Sequence, residues 1–151
     1  MSNIQQRIEQ DLVAAMKSKD ASKVRILRLV KSALDAAAKD KKEELSDQEA
    51  ISVIRKKIKQ SQDSKEKYAA GGRKDLVAAE QMEIDLLSQY LPAALSPAEI
   101  EKLVRQVAAE TGAQSLKDLG KVMGKLMKLV AGRAEGAEVK RIVEQVLGRG
   151  A

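Results

Sequence analysis

Cysteine, histidine, tryptophan and phenylalanine are all absent from the 151 residues. Their absence excludes disulfides, thiol nucleophiles, imidazole bases and zinc sites of the Cys/His type. Tyr68 and Tyr90 are the only aromatic residues, so stacking of bases on rings is not available as a main mode of nucleic-acid recognition. No paired-carboxylate constellation or nucleophile motif identifies a catalytic residue. We therefore expect no intrinsic catalysis, no metal and no cofactor.

Long apolar runs are missing as well. No stretch approaches the roughly 20 apolar residues that a membrane-spanning helix needs. Residues 1–7 contain no apolar core of the kind that a signal peptide carries. We therefore expect a cytoplasmic protein with no membrane partner.

Helix-forming residues dominate what is present. Alanine, leucine, lysine, glutamate, glutamine, arginine and methionine account for 95 residues, against two prolines. Apolar residues recur at helical spacing along the chain, separated by glycine, proline and polar stretches. This pattern predicts an all-α protein of about seven helices, an N-terminal helical bundle followed by a smaller C-terminal helical lobe.

The segment that contains both prolines is the predicted boundary between the two parts. Pro92 ends one helical pattern, because the residue before a proline resists helical geometry. Ser96 and Glu99 have the spacing of a capping box, with Pro97 at the first helical position. We therefore divide the chain into residues 1–91, the N-terminal helical bundle, and residues 92–151, the small C-terminal lobe.

Basic residues exceed acidic ones by 28 to 22, which gives a net charge of +6 and makes an anionic partner plausible. On the helix predicted to begin after Ser115, four lysines fall within a sector of about 80 degrees, with the apolar residues opposite. Such a row of ammonium groups suits successive phosphates of a nucleic acid, and a solvated helix face explains it equally well. The four residues are Lys117, Lys121, Lys125 and Lys128.

A second basic stretch, from Val53 to Lys74, has eight basic residues against Asp63 and Glu66. Its charges scatter over most of the circumference of the predicted helix. This arrangement favours an ordinary solvated helix over a binding surface.

Two glycine pairs accompany the lysines. Gly120 and Gly124 lie inside the cationic helix, where each costs about 1 kcal/mol relative to alanine, which indicates that a Cβ is excluded there. Close crossing of another helix is the favoured explanation, and close approach of a sugar-phosphate backbone is the alternative. Gly132 and Gly136 bracket a turn in which Arg133 could contact a phosphate, Glu135 or a helix end.

Several motifs, taken in order, resemble the GatB/YqeY family, whose members are similar to the C-terminal tail of the B subunit of tRNA-dependent amidotransferase. The motifs are Gly72-Arg73-Lys74-Asp75-Leu76, Glu83-Ile84, Tyr90-Leu91-Pro92, Leu95-Ser96, Gly120-Lys121-Val122-Met123-Gly124, Leu126-Met127 and Gly132-Arg133-Ala134-Glu135-Gly136. The resemblance implies an all-helical fold of two lobes and a role in engaging tRNA. It also implies that the amide chemistry of the larger enzyme resides in other domains, which we do not expect in this chain.

The resemblance and the lysine row together define the candidate residues. Those expected to bind nucleic acid are Lys117, Lys121, Lys125, Lys128 and Arg133; those expected at a turn or at a close backbone approach are Gly120, Gly124, Gly132 and Gly136.

Three functions are consistent with these observations. The first is a tRNA-binding or accessory module in translation, which binds tRNA or another structured RNA by its backbone. The second is a subunit or homologue with carbon-nitrogen ligase activity, with glutamine as amido donor, acting with an aminoacyl-tRNA or amidotransferase complex. The third is a protein-interaction adaptor whose basic faces meet an acidic partner.

Overall fold

A computed structural model describes residues 2–148. The chain divides into two compact units, Met1–Leu91 and Pro92–Ala151. Within the described residues there are seven α-helices, one short 3-10 helix and no strand. The predicted all-α class is confirmed.

The first unit contains four helices, and the second contains three helices and the 3-10 helix. In the first unit they are α1 (Asn3–Lys17), α2 (Ala21–Lys41), α3 (Asp47–Ala70) and α4 (Lys74–Ser88). In the second they are α5 (Pro97–Thr111), the 3-10 helix (Leu116–Asp118), α6 (Leu119–Val130) and α7 (Gly136–Gly148).

Local side-chain hydrogen bonds begin several of these helices. Ser46 accepts from the backbone N–H of Glu49, and the Glu49 carboxylate accepts from the N–H of Ser46, which completes the capping box that begins α3. Ser96 and Glu99 form the same box at α5, with Pro97 in the first turn. The predicted start of α5 is confirmed. Such starts can be recognised in a sequence because the hydrogen-bonded residues are only three apart.

The core of the first unit consists of aliphatic side chains from all four helices. α1 packs mainly on α2, and α3 packs mainly on α4. Ile8, Leu27, Ile54 and Leu87 are completely buried where these pairs meet. The second unit has a separate aliphatic core, to which α5, α6 and α7 all contribute.

Tyr90 lies beyond the end of α4 and fixes this segment to α1. The ring is only 3% exposed, and its hydroxyl donates to the Oδ2 atom of Asp11. The Arg7 guanidinium lies 5.0 Å from the ring centroid, which is within the range of a cation–π contact. Burial raises the pKa of the Tyr90 hydroxyl, and the Asp11 carboxylate raises it further. Tyr90 is therefore a neutral hydrogen-bond donor at neutral pH.

Replacing Tyr90 by phenylalanine is expected to lower the free energy of unfolding by about 1–2 kcal/mol. The ring would remain, but the half-buried Asp11 carboxylate would lose its donor. Urea unfolding measures the change. Tyr68→Phe is the matched control, because the half-buried Tyr68 has no hydroxyl hydrogen bond within the described residues. Equal losses in the two variants would contradict a specific role for the Tyr90–Asp11 bond.

Candidate nucleic-acid interface

Helix α6 is oriented by its apolar face. Val122, Leu126 and Val130 recur at spacings of four residues, and all three are completely buried in the core of the second lobe. Because residues three and four apart share one face of a helix, the opposite face of α6 is turned toward solvent.

Glycine and lysine make up almost all of that solvent-exposed face. The exposed residues of α6 are Gly120, Lys121, Gly124, Lys125, Lys128 and Leu129. The first five of these are called the glycine–lysine face below. Around the circumference of the helix, the two glycines lie next to the lysines. The lysines therefore border a strip of helix surface that carries no side chain. No residue of α6 is acidic, and this face is therefore purely cationic.

The three lysines of this face differ in their partners. The Nζ atom of Lys125 lies 2.6 Å from Oε2 of Glu110, at the end of α5. The hydrogen bond from Lys125 lowers the pKa of the Glu110 carboxyl. Lys121 and Lys128 form no hydrogen bond or salt bridge through their side chains within residues 2–148, although the charge of Lys121 helps to lower the pKa of the Asp118 carboxyl. Two of the three ammonium groups are therefore available to an external anion.

Lys117 does not lie on α6, so the predicted single helix from Ser115 is wrong at its first turn. It lies in the 3-10 helix, where it is exposed and its backbone N–H donates to the Ser115 hydroxyl over 3.3 Å. The Asp118 carboxylate accepts from the N–H of Gln114 at 3.0 Å and of Ser115 at 3.4 Å. These bonds tighten the turn and lower the pKa of Asp118. Lys117 precedes the regular row that the other lysines form.

Gly120 and Gly124 are exposed, and the helix crossing that we expected there is not found within the lobe. An ideal Cβ built on either glycine meets no atom of the described second lobe within 4 Å. Neither glycine has a positive φ. The fold of the lobe therefore supplies neither a steric nor a conformational reason for glycine at these two positions.

The turn after α6 is held by Arg133. Ala131 and Gly132 have φ angles of 50° and 79°, which turn the chain back on the helix. Arg133 then donates from Nη2 to the carbonyl of Leu129 at 2.9 Å and from Nε to that of Val130 at 3.1 Å. A phosphate, Glu135 and a helix end were the three contacts considered for Arg133. In the structure its side chain contacts the helix end.

Replacing Arg133 by methionine is expected to destabilise the protein by about 1–2 kcal/mol. Methionine keeps most of the aliphatic stem, but the last carbonyls of α6 would lose two charged donors. Thermal unfolding followed by circular dichroism measures the effect. Arg141→Met, at an exposed position of α7, is the control and should change stability little. An unchanged melting temperature for Arg133→Met would show that the cap contributes nothing.

The remaining candidate glycine, Gly136, is the first residue of α7. An added Cβ would lie 4.0 Å from Cε of Met127, an ordinary van der Waals contact. Gly136 thus marks the start of α7 beside α6 and is not part of the glycine–lysine face.

Two residues of the second basic stretch contact residues of α4. Lys65 donates from Nζ to Oε1 of Gln81 at 2.5 Å, and Arg73 pairs with Asp75 at 3.2 Å. Lys59 and Lys67 are exposed on α3. These positions are consistent with the predicted solvated helix.

Two further classes of site are absent from residues 2–148. No group of three or more acidic residues there could hold a metal ion. None of the helices in that range combines the length and the apolar character needed to cross a membrane.

These features define a class: a basic, two-unit, all-α protein with a cationic helix face in its second unit. The chain belongs to the YqeY family, since the family model described as Yqey-like protein matches residues 5–147. The predicted family, whose domain is related to the C-terminal tail of the amidotransferase B subunit, is thereby confirmed.

Two fungal proteins are similar to this chain. "Altered inheritance of mitochondria protein 41, mitochondrial" from Pyrenophora tritici-repentis is 33% identical over 146 residues, which cover 94% of this chain and 80% of the relative. "Uncharacterized protein C22F3.15" from Schizosaccharomyces pombe is 30% identical over 90 residues, which cover 60% of this chain and 73% of the relative.

Proposed function

We propose that this protein binds structured RNA, tRNA in the first place, through the glycine–lysine face of α6. In this role it is an accessory module that holds the RNA backbone and carries out no chemistry on it. The observation that carries the proposal is the pair of exposed lysines that form no hydrogen bond or salt bridge in the described chain, Lys121 and Lys128, beside two glycines with open space above them.

The geometry of α6 suits a polyanionic backbone. Lys121 and Lys125 are about 6 Å apart along the helix axis and Lys121 and Lys128 about 10 Å, as expected from the rise of about 1.5 Å per residue. Flexible ammonium groups at such spacings can each neutralise a separate phosphate. The bare glycine strip lets a sugar-phosphate chain approach the helix more closely than any larger side chain would allow.

The same features predict how the RNA would be recognised. Lysine contacts to phosphate carry no sequence information, and the chain lacks the aromatic residues on which single-stranded bases stack. Recognition would therefore depend on the shape of a folded RNA and on its phosphates. The kinship with the amidotransferase tail supports tRNA as the first RNA to test.

Fluorescence anisotropy with a labelled tRNA transcript tests the proposal. For contacts to about three phosphates, the logarithm of the binding constant should fall by about 2–3 units per tenfold increase in salt. Polyglutamate at the same total charge is the control for a polyanion without RNA geometry, and it should bind more weakly. Binding that is absent at 50 mM salt, or that does not change with salt, would contradict phosphate recognition.

The cytoplasmic location expected from the sequence stays a prediction. The name of the Pyrenophora relative includes the word mitochondrial, and that word describes the relative. An RNA-binding role is compatible with either compartment, because both contain tRNA.

A further inference from the structure

A second cationic surface lies in the first unit, at the turn between α1 and α2. A shallow groove of about 640 Å³ is formed there by the turn and the outer face of α2. The residues of the groove that matter below are Met16, Lys19, Val24, Arg25, Arg28 and Leu29, and they are called the α1–α2 patch.

Large apolar side chains of the patch are exposed to solvent. Met16 is 47% exposed and Leu29 is 46% exposed, and Val13, one turn before Met16 on α1, is 49% exposed. Three of the six large hydrophobic side chains that are exposed in the described chain therefore lie on or beside this groove. Contiguous apolar side chains with a polar rim are typical of a protein-binding surface.

The turn that shapes the groove is well fixed. The backbone N–H of Ser18 donates to Ala14 at 3.0 Å, and that of Lys19 donates to Met16 at 3.3 Å. Asp20 caps α2 by accepting from the N–H of Lys23 at 3.1 Å. The groove is therefore present before any partner binds, which lowers the entropic cost of binding.

The rim of the groove is cationic and has little opposing charge of its own. Residues 13–32 contain six basic residues and one acidic residue, Asp20, whose carboxylate already caps α2. Lys19 and Arg28 form no ion pair within residues 2–148. Arg25 lies near enough to Glu83 to lower the pKa of that carboxyl, although burial raises it overall.

The nearby carboxylates are engaged elsewhere. Glu9 and Asp35 both lie close to Lys31, at 4.0 and 2.9 Å from its Nζ atom. Asp11 accepts from Tyr90. Apart from Asp40, which lies more than three turns beyond Arg28, no acidic side chain of α1 or α2 therefore remains to balance Lys19 and Arg28.

We propose that the α1–α2 patch is the docking site for an acidic amphipathic segment of a partner protein. The apolar side chains of the segment would contact Met16 and Leu29, and its carboxylates would pair with Arg25, Arg28 and Lys19. Charge complementarity favours an acidic partner. RNA has no apolar side chains to cover Met16 and Leu29. Binding to a membrane surface favours a continuous apolar face, whereas this groove is concave and has three apolar side chains.

The test uses the full chain and a designed probe, a fluorescent peptide of about 16 residues that carries a leucine stripe flanked by glutamates. The wild-type protein should bind this peptide and discriminate against the same peptide with lysine in place of glutamate. Arg25→Glu with Arg28→Glu should weaken binding about tenfold or more and should reverse the preference between the two peptides. Leu29→Ser should weaken binding by roughly three- to tenfold.

Matched controls separate this site from general charge. Lys59→Glu with Lys67→Glu changes the net charge by the same amount at exposed positions of α3 and should leave peptide binding unchanged. Excess tRNA should not displace the peptide. Failure of the wild type to bind the peptide, equal loss in the two charge variants, or displacement by tRNA would overturn the proposal. So would tighter binding to phosphatidylglycerol vesicles that is lost in the Arg25 and Arg28 variant. The site is independent of the proposed RNA function.

Discussion

Replacing Lys121 and Lys128 together by glutamate is expected to weaken tRNA binding by roughly 30- to 100-fold at about 0.1 M salt. The logarithm of the binding constant falls by about 0.8 per phosphate contact for each tenfold increase in salt. Each contact therefore contributes a factor of about six to the binding constant at about 0.1 M salt relative to 1 M. The reversed charges add repulsion. Both side chains are exposed, and neither forms a hydrogen bond or salt bridge in the described chain, so the fold should not change. Anisotropy titrations at several salt concentrations measure the affinity and the slope.

The slope separates the two causes that could weaken binding. Loss of two phosphate contacts should reduce the salt slope by about 1.5 units, whereas a general change of net charge need not. Lys102→Glu with Arg141→Glu is the matched control, since it reverses two exposed charges on α5 and α7. If this control variant lost as much affinity as the α6 variant, binding would depend on overall charge and not on α6.

Replacing Gly120 and Gly124 together by alanine is expected to change stability and RNA binding in opposite directions. Alanine is favoured over glycine inside a helix by about 1 kcal/mol at each position, and the added methyl groups meet no atom of their own lobe within 4 Å. The free energy of unfolding should therefore rise by about 1–2 kcal/mol. The same methyl groups would keep an RNA backbone away from the helix, and affinity for tRNA should fall about tenfold.

Gly112 supplies the contrasting control for the glycine pair. It ends α5 with a φ of +70°, so Gly112→Ala should lower stability by about 1 kcal/mol and leave RNA binding unchanged. A glycine-pair variant that is more stable yet binds tRNA normally would show that nothing approaches the strip. A variant that is less stable would show that the space above the glycines is occupied.

Helix starts could be predicted where they depend on neighbouring residues, whereas the end of α4 and the 3-10 helix could not. Pro92 predicts a helix that continues to Leu91, but α4 ends at Ser88. Tyr90 leaves the helical path and is buried against Asp11, a contact 79 residues away in the sequence. At Asp118, the carboxylate tightens the first turn into a 3-10 helix, which periodicity alone does not distinguish from α.

The exposure of the lysines on α6 could be predicted from the apolar stripe, but their partners could not. Glu110 reaches Lys125 only because α5 and α6 pack together, and no spacing along the chain encodes that. The role of Arg133 depends on the left-handed turn at Ala131 and Gly132, which brings its guanidinium to the helix end. Sequence reasoning did not identify the α1–α2 patch, although residues 13–32 contain six basic residues and only one acidic residue, Asp20.

The measurement that tests the central claim most directly is an amide NMR titration of the labelled protein with tRNA. If the glycine–lysine face binds the RNA backbone, the amide signals of Gly120, Lys121 and Gly124 should shift or broaden first, while those of Gly72 and Gly112 stay unchanged. Perturbations that spare α6, or that fall mainly on the α3 and α4 hairpin, would contradict the account.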